Sequence, residues 1–238
     1  MVGMTSAPTP PPRPPRPLRV VAVSGTLSTP SKTDALVREI VTALGDVLPI
    51  EAHVIRVSEL GPLFAGALTR DQLDERVERE LVAIETADLL IAASPVYRAS
   101  FTGLFKHLFD FVEQYALVDV PVLLAATGGS ERHALIIEHS LRPLFGFFQA
   151  LTLPLGVYAH TTDFTATGGA DKYAVTAPLL QERIRNAIQR GLPLIRSSIL
   201  EKGRIEQALD RGEADDALSV DDPRADGLEA TTPTRLFS

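Results

Sequence analysis

The chain has 238 residues, 45% of them hydrophobic, and a formal net charge of −7 at pH 7. This content is sufficient for the core of one large domain or two small ones. The absence of cysteine excludes disulfides, thiolate nucleophiles and cysteine-bound metals. The five histidines show no metal-binding spacing, so we predict no metal site. The acidic charge and the lack of a long apolar stretch exclude a nucleic-acid or membrane partner, and we predict a cytoplasmic protein.

The two ends of the chain differ in composition from its middle. Residues 1–17 contain seven prolines and predict a disordered or polyproline-II leader, with a PxxP ligand for an SH3-like partner as the alternative. Residues 196–238 are polar and acidic, which predicts a short helix followed by disorder, or a tail that docks on a neighbouring subunit. We predict that residues 18–195 form the folded domain.

The central region alternates strands and helices. Strands are predicted at 18–25, 50–57, 88–95, 120–127 and 152–160. Helices are predicted between the first two strands, at 71–87, at 102–115, from Arg132 through 135–151, and at 177–195. Several of the strands are continuous apolar runs, typical of strands that are buried on both faces. This order predicts an α/β fold with a doubly wound, five-stranded parallel sheet.

Polar loops follow three of the predicted strands. They read SGTLSTPSKT (24–33), SPVYRASF (94–101) and ATGGSERH (126–133). In a doubly wound sheet, ligands bind beyond the carboxyl ends of the strands. We therefore predict that the three loops together form one ligand site.

The first loop is rich in hydroxyl groups and precedes a helix. It lacks the GxGxxG of a dinucleotide site and the GxxxxGK[ST] of a Walker P-loop, so neither motif is present. The free N–H groups of the helix start and the cation of Lys32 favour an anion. A phosphomonoester fits best, because short donors can surround its three free oxygens. The alternative is ordinary helix capping, which needs one hydroxyl and not the six that are present: Ser24, Thr26, Ser28, Thr29, Ser31 and Thr33.

The other two loops suggest a platform for a planar ring. Tyr97 offers a flat face just after a buried strand, and Gly128 and Gly129 allow the backbone to approach a flat ligand. Taken singly, each loop has a simpler interpretation, a turn with a half-buried aromatic or a glycine turn. Together with the first loop they predict a mononucleotide site, and FMN is the leading candidate in this type of sheet.

The motifs SG(x)nSKT, SPVYRASFTGLFKHLFD and ATGGSERHALIIEHSLRPLF, in this order, resemble the NAD(P)H-dependent FMN reductases of two-component monooxygenase systems. The likeness covers residues 18–195 and is greatest to the alkanesulfonate and methanesulfonate enzymes and to the reductases partnered with luciferase-like monooxygenases. It implies a flavodoxin-like three-layer sandwich with strand order 2-1-3-4-5. It also implies a homodimer or homotetramer that uses FMN and NAD(P)H and releases reduced flavin to a separate monooxygenase.

The resemblance also implies site residues by position. The FMN phosphate would be held by Ser24, Thr26, Ser31, Lys32 and Thr33. The isoalloxazine and ribityl chain would be lined by Pro95, Val96, Tyr97, Arg98 and Ser100. The ring would be contacted from the third loop by Thr127, Gly128, Gly129 and Ser130, with the N–H groups of the two glycines supporting charge on the flavin. No side chain is assigned an acid–base role. Arg is common in the family where Lys32 stands, so a point charge replaces a bidentate clasp here.

The region after the third loop carries two further expectations. In the alkanesulfonate enzymes a Tyr in this helix is associated with a π-helical turn. This chain has His139 at that position, as in the methanesulfonate branch, so the resemblance does not decide whether a π-helical turn is present. The cluster of Phe145, Phe147 and Phe148 indicates either a subunit interface or a fully buried core helix.

Two alternative functions remain open from the sequence. One is a quinone, azo or chromate reductase with tightly bound FMN, which would purify with its flavin. The other is a flavodoxin-like electron carrier without turnover, although flavodoxins usually carry a TGNT-like loop where this chain has SGTLSTPSKT.

Overall fold

The computed structural model of the protein describes residues 16–168 and 172–210. Most of the predicted leader, residues 1–15, and the end of the predicted tail, residues 211–238, lie outside this part of the chain. What we predicted for those two segments therefore stays a prediction. By its internal contacts the chain divides into two units, with the boundary after Ser198.

A parallel sheet forms the centre of the first unit. Its strands are β1 (Leu18–Ser24), β2 (Ile50–Arg56), β3 (Leu89–Pro95), β4 (Pro121–Gly128), β5 (Leu151–Thr152) and β6 (Val157–His160). The order across the sheet is β2-β1-β3-β4-β5, and β6 also pairs with β4. The predicted flavodoxin-like order is confirmed. Every residue of β4 and all but the last of β3 are buried, so both faces of the sheet are covered.

Helices connect the strands. They are α1 (Lys32–Gly45), α2 (Val57–Phe64), α3 (Glu75–Glu85), α4 (Gly103–Phe109), α5 (Arg142–Phe147) and α6 (Pro178–Asp210). Three of them begin after a residue whose side chain accepts a backbone N–H of the first turn: Ser31, Asp74 and Thr102. Such caps satisfy donors that have no partner inside the helix, and they define where each helix starts.

The phenylalanine cluster is divided between core and surface. The Phe109 ring lies 4.9 Å from Phe105 and 5.1 Å from Phe145, centroid to centroid. Phe145 and Phe148 are buried, whereas Phe147 is 61% exposed. The buried-core interpretation therefore holds for two of the three rings, and the third lies at the surface.

The predicted fifth strand, 152–160, is wrong as a single element. The structure has two short strands there, β5 and β6, separated by residues 153–156. Both pair with β4, at Pro121–Val122 and at Ala125–Gly128. Pro154 lies in the gap, and proline has no N–H to donate to a sheet ladder, which explains the interruption.

The predicted long helix from Arg132 is also wrong as a continuous α-helix. The structure has a 3₁₀ turn at Glu131–His133, a π-helix at Ile137–Leu141 and then α5. Pro143 supplies no N–H for the carbonyl of His139, four residues earlier, so the α-helical ladder cannot continue there. Instead the Arg142 N–H donates to the carbonyl of Ile137, five residues back. A π-turn is thus present with an exposed His139 at its centre.

The bounds of other elements also differ from those predicted. Helix α4 ends at Phe109 and not at 115, and the predicted helix 71–87 is a 3₁₀ turn, Arg70–Gln72, followed by α3. Helix α6 runs past the predicted end at 195 as far as Asp210. Helix α2 and an antiparallel hairpin of β7 (Phe164–Ala166) and β8 (Tyr173–Val175) were not predicted.

Within residues 16–168 and 172–210, no helix combines the length and the apolar character that crossing a bilayer requires. In the same part of the chain, no three His, Asp or Glu side chains lie close enough together to hold a metal ion.

A buried carboxylate ties the start of β1 to the loop before β3. Asp88, whose side chain is 6% exposed, accepts hydrogen bonds from the Arg16 guanidinium at 2.5 and 3.1 Å and from the Arg19 N–H at 2.9 Å. Burial pushes the pKa of Asp88 upward, but these bonds outweigh it and hold the pKa below the ordinary value. Arg16 belongs to the predicted leader, so ordered contacts begin before residue 18.

We expect Asp88→Asn to lower the free energy of unfolding by about 1–2 kcal/mol near neutral pH. Because the folded pKa lies below the ordinary 3.8, ionised Asp88 stabilises the fold above that value, and the contribution is lost as pH falls through the folded pKa. Urea unfolding should therefore show a large difference between wild type and variant at about pH 7 and a smaller one at about pH 3. Asp110→Asn, in an exposed pair with Lys106, is the control. An equal difference at both pH values would contradict this role for Asp88.

Candidate functional site

Three loops meet around one cleft at the carboxyl edge of the sheet. They follow β1, β3 and β4, which are neighbours in the sheet. The cleft has a volume of about 280 Å³. The predicted site residues that line it are Thr26, Ser31, Lys32, Thr33, Pro95, Val96, Tyr97, Thr127, Gly128 and Gly129. Ser24, Arg98, Ser100 and Ser130 are not among the lining residues.

The N-terminus of α1 forms one end of the cleft. Ser31 has an extended backbone and its Oγ accepts the N–H of Asp34 at 3.2 Å, so it caps the helix. The first N–H groups of a helix have no intrahelical acceptor, and the helix dipole makes this end positive. Lys32, the first residue of α1, adds a full positive charge at the cleft. This end of the cleft is suited to an anion.

Hydroxyl groups hold the anion end in place before any ligand arrives. Thr33 Oγ1 lies 2.7 Å from Thr127 Oγ1, in a buried contact that joins α1 to the end of β4. Thr26 Oγ1 donates to the carbonyl of Ser28 at 3.2 Å and so closes the loop after β1. In the threonine pair one hydroxyl donates to the other, and the accepting hydroxyl keeps its own hydrogen for a ligand.

Ser24 lies behind the cleft and not in it. It is fully buried, and its Oγ donates to Asp34 Oδ1 at 2.5 Å. The Ser24 hydroxyl thus supports the loop from behind, and its predicted contact with a phosphate stays a prediction. Burial raises the pKa of Asp34, although the Ser24 hydrogen bond and the charge of Arg56 oppose that shift. This buried pair connects the end of β1 to the first turn of α1.

Gly25 and Thr102 join the first loop to the second. The Gly25 N–H donates to the Ala93 carbonyl at 2.7 Å, and the Thr102 hydroxyl donates to the Gly25 carbonyl at 2.7 Å. A Cβ at Gly25 would lie 2.7 Å from the Phe105 ring, so no larger residue fits without displacing the ring. The close approach of these elements therefore depends on glycine at this position.

The second loop contains a tight reverse turn. Tyr97 and Ser100 exchange two backbone hydrogen bonds of 2.8 and 3.0 Å. Arg98 and Ala99 between them have φ values of 51° and 66°, as in a type I′ turn. Residues other than glycine are strained in this conformation. The turn presents Tyr97, 46% exposed, to the cleft, whereas Arg98 and Ser100 complete the turn without lining the cleft.

The third loop rests on Tyr158 of β6. The Tyr158 hydroxyl donates to the Ser130 carbonyl at 2.6 Å. Ser130 thus takes part in holding this loop through its backbone, and not through its side chain. A Cβ at Gly128 would collide with that hydroxyl. A Cβ at Gly129 would meet nothing within 4 Å, so the space over Gly129 is open. The Val96 N–H donates to the Thr127 carbonyl at 2.8 Å and links this loop to the second one.

Four residues that line the cleft were not among the site residues assigned by position: Ser28, Pro30, Thr161 and Tyr173. Ser28 and Pro30 belong to the loop that was recognised, and Ser28 was part of its hydroxyl signal. Thr161 follows β6, and Tyr173 comes from the hairpin of β7 and β8. No local motif marks these last two positions, because only the fold brings them to the cleft.

A larger cleft of about 620 Å³ lies beside Tyr158. It is formed by the end of β6, the 3₁₀ turn Thr161–Asp163 and the start of α6, and it includes His160 and Arg183. Arg183 donates to Asp163 at 3.1 Å, so opposite charges are paired there. None of the predicted site residues, all of which the structure describes, lines it. The smaller cleft is the better candidate because three loops converge on it at the carboxyl edge of the sheet.

Comparison with known proteins identifies the family of the chain. A profile of the family described as NADPH-dependent FMN reductase matches residues 18–165, which include all three loops. The chain belongs to this family. An NADH-dependent FMN reductase, SfnF, from Pseudomonas fluorescens is 54% identical to it over 175 residues, which are 74% of this chain and 90% of the relative.

Two further comparisons extend the result. An FMN reductase (NADPH) from Pseudomonas aeruginosa is 49% identical over 183 residues, 76% of this chain and 95% of the relative. The crystal structure of an oxidoreductase from Corynebacterium diphtheriae aligns with a TM-score of 0.64 and 34% identity, over 76% of this chain and 98% of that one. The family uses FMN and NAD(P)H, and this member has the family's fold.

We expect Tyr158→Phe to weaken FMN binding about two- to tenfold, because the loop that carries Gly128 and Gly129 loses the hydrogen bond that fixes it. Titration of flavin fluorescence measures the affinity, and thermal unfolding shows whether the fold is kept. Tyr115→Phe, at an exposed tyrosine on the loop before β4, is the matched control. Unchanged FMN affinity in Tyr158→Phe would mean that this hydrogen bond does not shape the site.

Proposed function

We propose that this FMN reductase transfers hydride from NAD(P)H to FMN in the 280 Å³ cleft and releases the reduced flavin to a separate, luciferase-like flavin-dependent monooxygenase. The balanced reaction takes NAD(P)H, a proton and FMN to NAD(P)⁺ and FMNH₂. One observation carries the proposal: a single cleft joins a positive, hydroxyl-rich end at α1 to an open end between Tyr97 and Gly129. These two ends match the phosphate and the ring of FMN.

The phosphate is assigned to the α1 end. Thr26, Ser31, Lys32 and Thr33 line the cleft there, next to the first N–H groups of the helix. Hydrogen bonds to a charged phosphate contribute about 1.5–3 kcal/mol each, more than neutral ones, so a few donors suffice to anchor it. Ser24 and Asp34 hold the helix start in position behind these groups.

The ring is assigned to the other end. Pro95, Val96 and Tyr97 form one wall, and Thr127, Gly128 and Gly129 form the other. The backbone N–H groups of the glycines provide donors for negative charge on the flavin. When FMN is bound, the cofactor itself supplies the hydride-accepting chemistry. The chain's own residues bind, orient and stabilise, which are tasks of positioning and electrostatics.

The open end of the cleft supports flavin exchange. Tyr97 is 46% exposed. Lys32 offers a compact charge, where an arginine would form a two-point clasp. Both features favour FMN as a substrate that enters and leaves. Relatives that are about equally similar carry names specifying NADH in one case and NADPH in the other, so the proposal includes both donors.

The proposal includes a homodimer or homotetramer in the cytoplasm. Exposed Phe147 lies beside Leu144 and Phe148 at a surface depression of about 480 Å³, which supports a contact with a second copy of the chain. NAD(P)H is a cytoplasmic reductant, and a chain without cysteine is compatible with that compartment.

The test is NAD(P)H oxidation by purified protein, with and without added FMN. A nearly colourless preparation whose turnover depends strongly on added FMN supports the proposal. A yellow preparation that turns over only with a quinone, azo dye or chromate would replace it with the bound-flavin reductase. No turnover under either condition would favour an electron carrier.

We expect Lys32→Ala to weaken FMN binding about tenfold, because the phosphate loses its only side-chain charge among the residues that line the described cleft. Riboflavin, which has no phosphate, should bind the variant and the wild type alike. Isothermal titration with both flavins measures the effect. Lys106→Ala, at a lysine on α4 that does not line the cleft, is the control. A Lys32→Ala variant with unchanged FMN affinity would refute the phosphate assignment.

A further inference from the structure

We propose that Tyr173 is a positioning residue for the FMN phosphate: its ring holds the ammonium group of Lys32 at the cleft before flavin binds. The inference rests on the proposed function, which places the phosphate at the start of α1. Tyr173 lies on β8, beyond residues 18–165 that the family profile matches. The proposed role thus comes from a part of the fold outside the family's matched region.

The geometry between the two side chains is that of a cation–π contact. Lys32 Nζ lies 5.4 Å from the centroid of the Tyr173 ring. A cation within about 6 Å of an aromatic centroid is attracted by the negative face of the ring. Both residues line the same cleft. The tyrosine therefore selects one position of the flexible lysine chain at the place where the phosphate is expected.

Tyr173, on β8, is itself held in place by the helix that carries Lys32. Arg38, on α1, donates from Nη2 to the Tyr173 carbonyl at 3.0 Å. The hairpin is closed at its other end by pairing of Phe164 with Val175, both of which are buried. The Thr165 and Thr176 hydroxyls lie 2.7 Å apart on the exposed side of the hairpin. The ring is thus supported by the hairpin and by α1 together.

The position of Lys32 matters because charge on the cleft is scarce. Among the described residues that line the cleft, Lys32 is the one with a charged side chain. Other cations, Arg38, Arg56 and Lys172, line a separate cavity of about 100 Å³ together with Asp34 and Glu59. Tyr173 borders both spaces, whereas Lys32 lines the cleft and not the smaller cavity.

A pre-positioned ammonium favours phosphate binding through entropy. The lysine side chain has four flexible bonds and loses rotamer freedom when it is fixed. If Tyr173 fixes it in the free protein, less freedom is lost when the phosphate binds, and affinity rises. The gain applies only to a ligand with a phosphate. Tyr173 is therefore expected to favour FMN over riboflavin.

The test is a double-mutant cycle between Tyr173 and Lys32, read as binding of FMN and of riboflavin. We expect Tyr173→Leu to weaken FMN binding about three- to tenfold and to change riboflavin binding less than about twofold. Tyr173→Phe, which keeps the ring, should retain FMN affinity within about twofold. In a Lys32→Ala background, Tyr173→Leu should have almost no further effect on FMN.

Controls separate positioning from folding. Lys106→Ala, at a lysine on α4 that does not line the cleft, should leave both affinities unchanged. Thermal unfolding of each variant checks the fold, and Tyr173→Gln replaces Tyr173→Leu if the latter does not fold.

Three outcomes would overturn the inference while the proposed function stands. Tyr173→Leu could leave FMN affinity unchanged although Lys32→Ala weakens it. It could weaken FMN and riboflavin equally, which indicates a structural role. It could weaken FMN as much in the Lys32→Ala background as in the wild type, which indicates direct contact with flavin. A silent Lys32→Ala, together with wild-type protein that binds riboflavin as tightly as FMN, would refute the phosphate assignment on which the inference rests. Wild-type protein that does not oxidise NAD(P)H when FMN is added would contradict the proposed function itself.

Discussion

The rest of the site depends on the N–H groups at the start of α1. A helix that begins directly beyond β1 leaves donors without partners and a positive dipole end at the edge of the sheet. Ser31 satisfies one donor, and the buried bond between Ser24 and Asp34 holds the first turn against the strand. The remaining polarity faces the cleft, where Lys32 strengthens it. A phosphate would accept hydrogen bonds from these N–H groups and neutralise the positive charge at this end of the cleft.

The ring end of the cleft depends on backbone held in unusual positions. Arg98 and Ala99 adopt left-handed conformations in the turn that displays Tyr97, and Gly128 sits where the Tyr158 hydroxyl leaves no room for a side chain. The left-handed backbone at Arg98 and Ala99 is costly unless neighbouring elements fix it, and such conformations concentrate at functional sites. Hydrogen bonds between the loops supply that fixation here. These hydrogen bonds give the cleft a defined shape, as expected for an enzyme that works by positioning.

Sequence patterns predicted the first four strands because three are apolar runs and the second, 50–57, alternates apolar and polar residues. They predicted the loops because hydroxyls and glycines cluster there. The failures have local physical causes. Pro154 interrupts the fifth strand, and Pro143 removes the donor that a continuous helix would need after His139. Sequence periodicity does not reveal that the Ser24 hydroxyl turns inward to Asp34. Tyr173 carried no signal, since three-residue strands have too little pattern and their packing is decided by distant residues.

A crystal structure of the protein with FMN would show directly which cleft binds the flavin and in which orientation. We expect the phosphate within hydrogen-bonding distance of the Thr33 N–H and of Lys32, with the isoalloxazine ring between Tyr97 and Gly129. A phosphate bound in the larger cleft beside His160 and Arg183, or a ring lying against the start of α1, would contradict it.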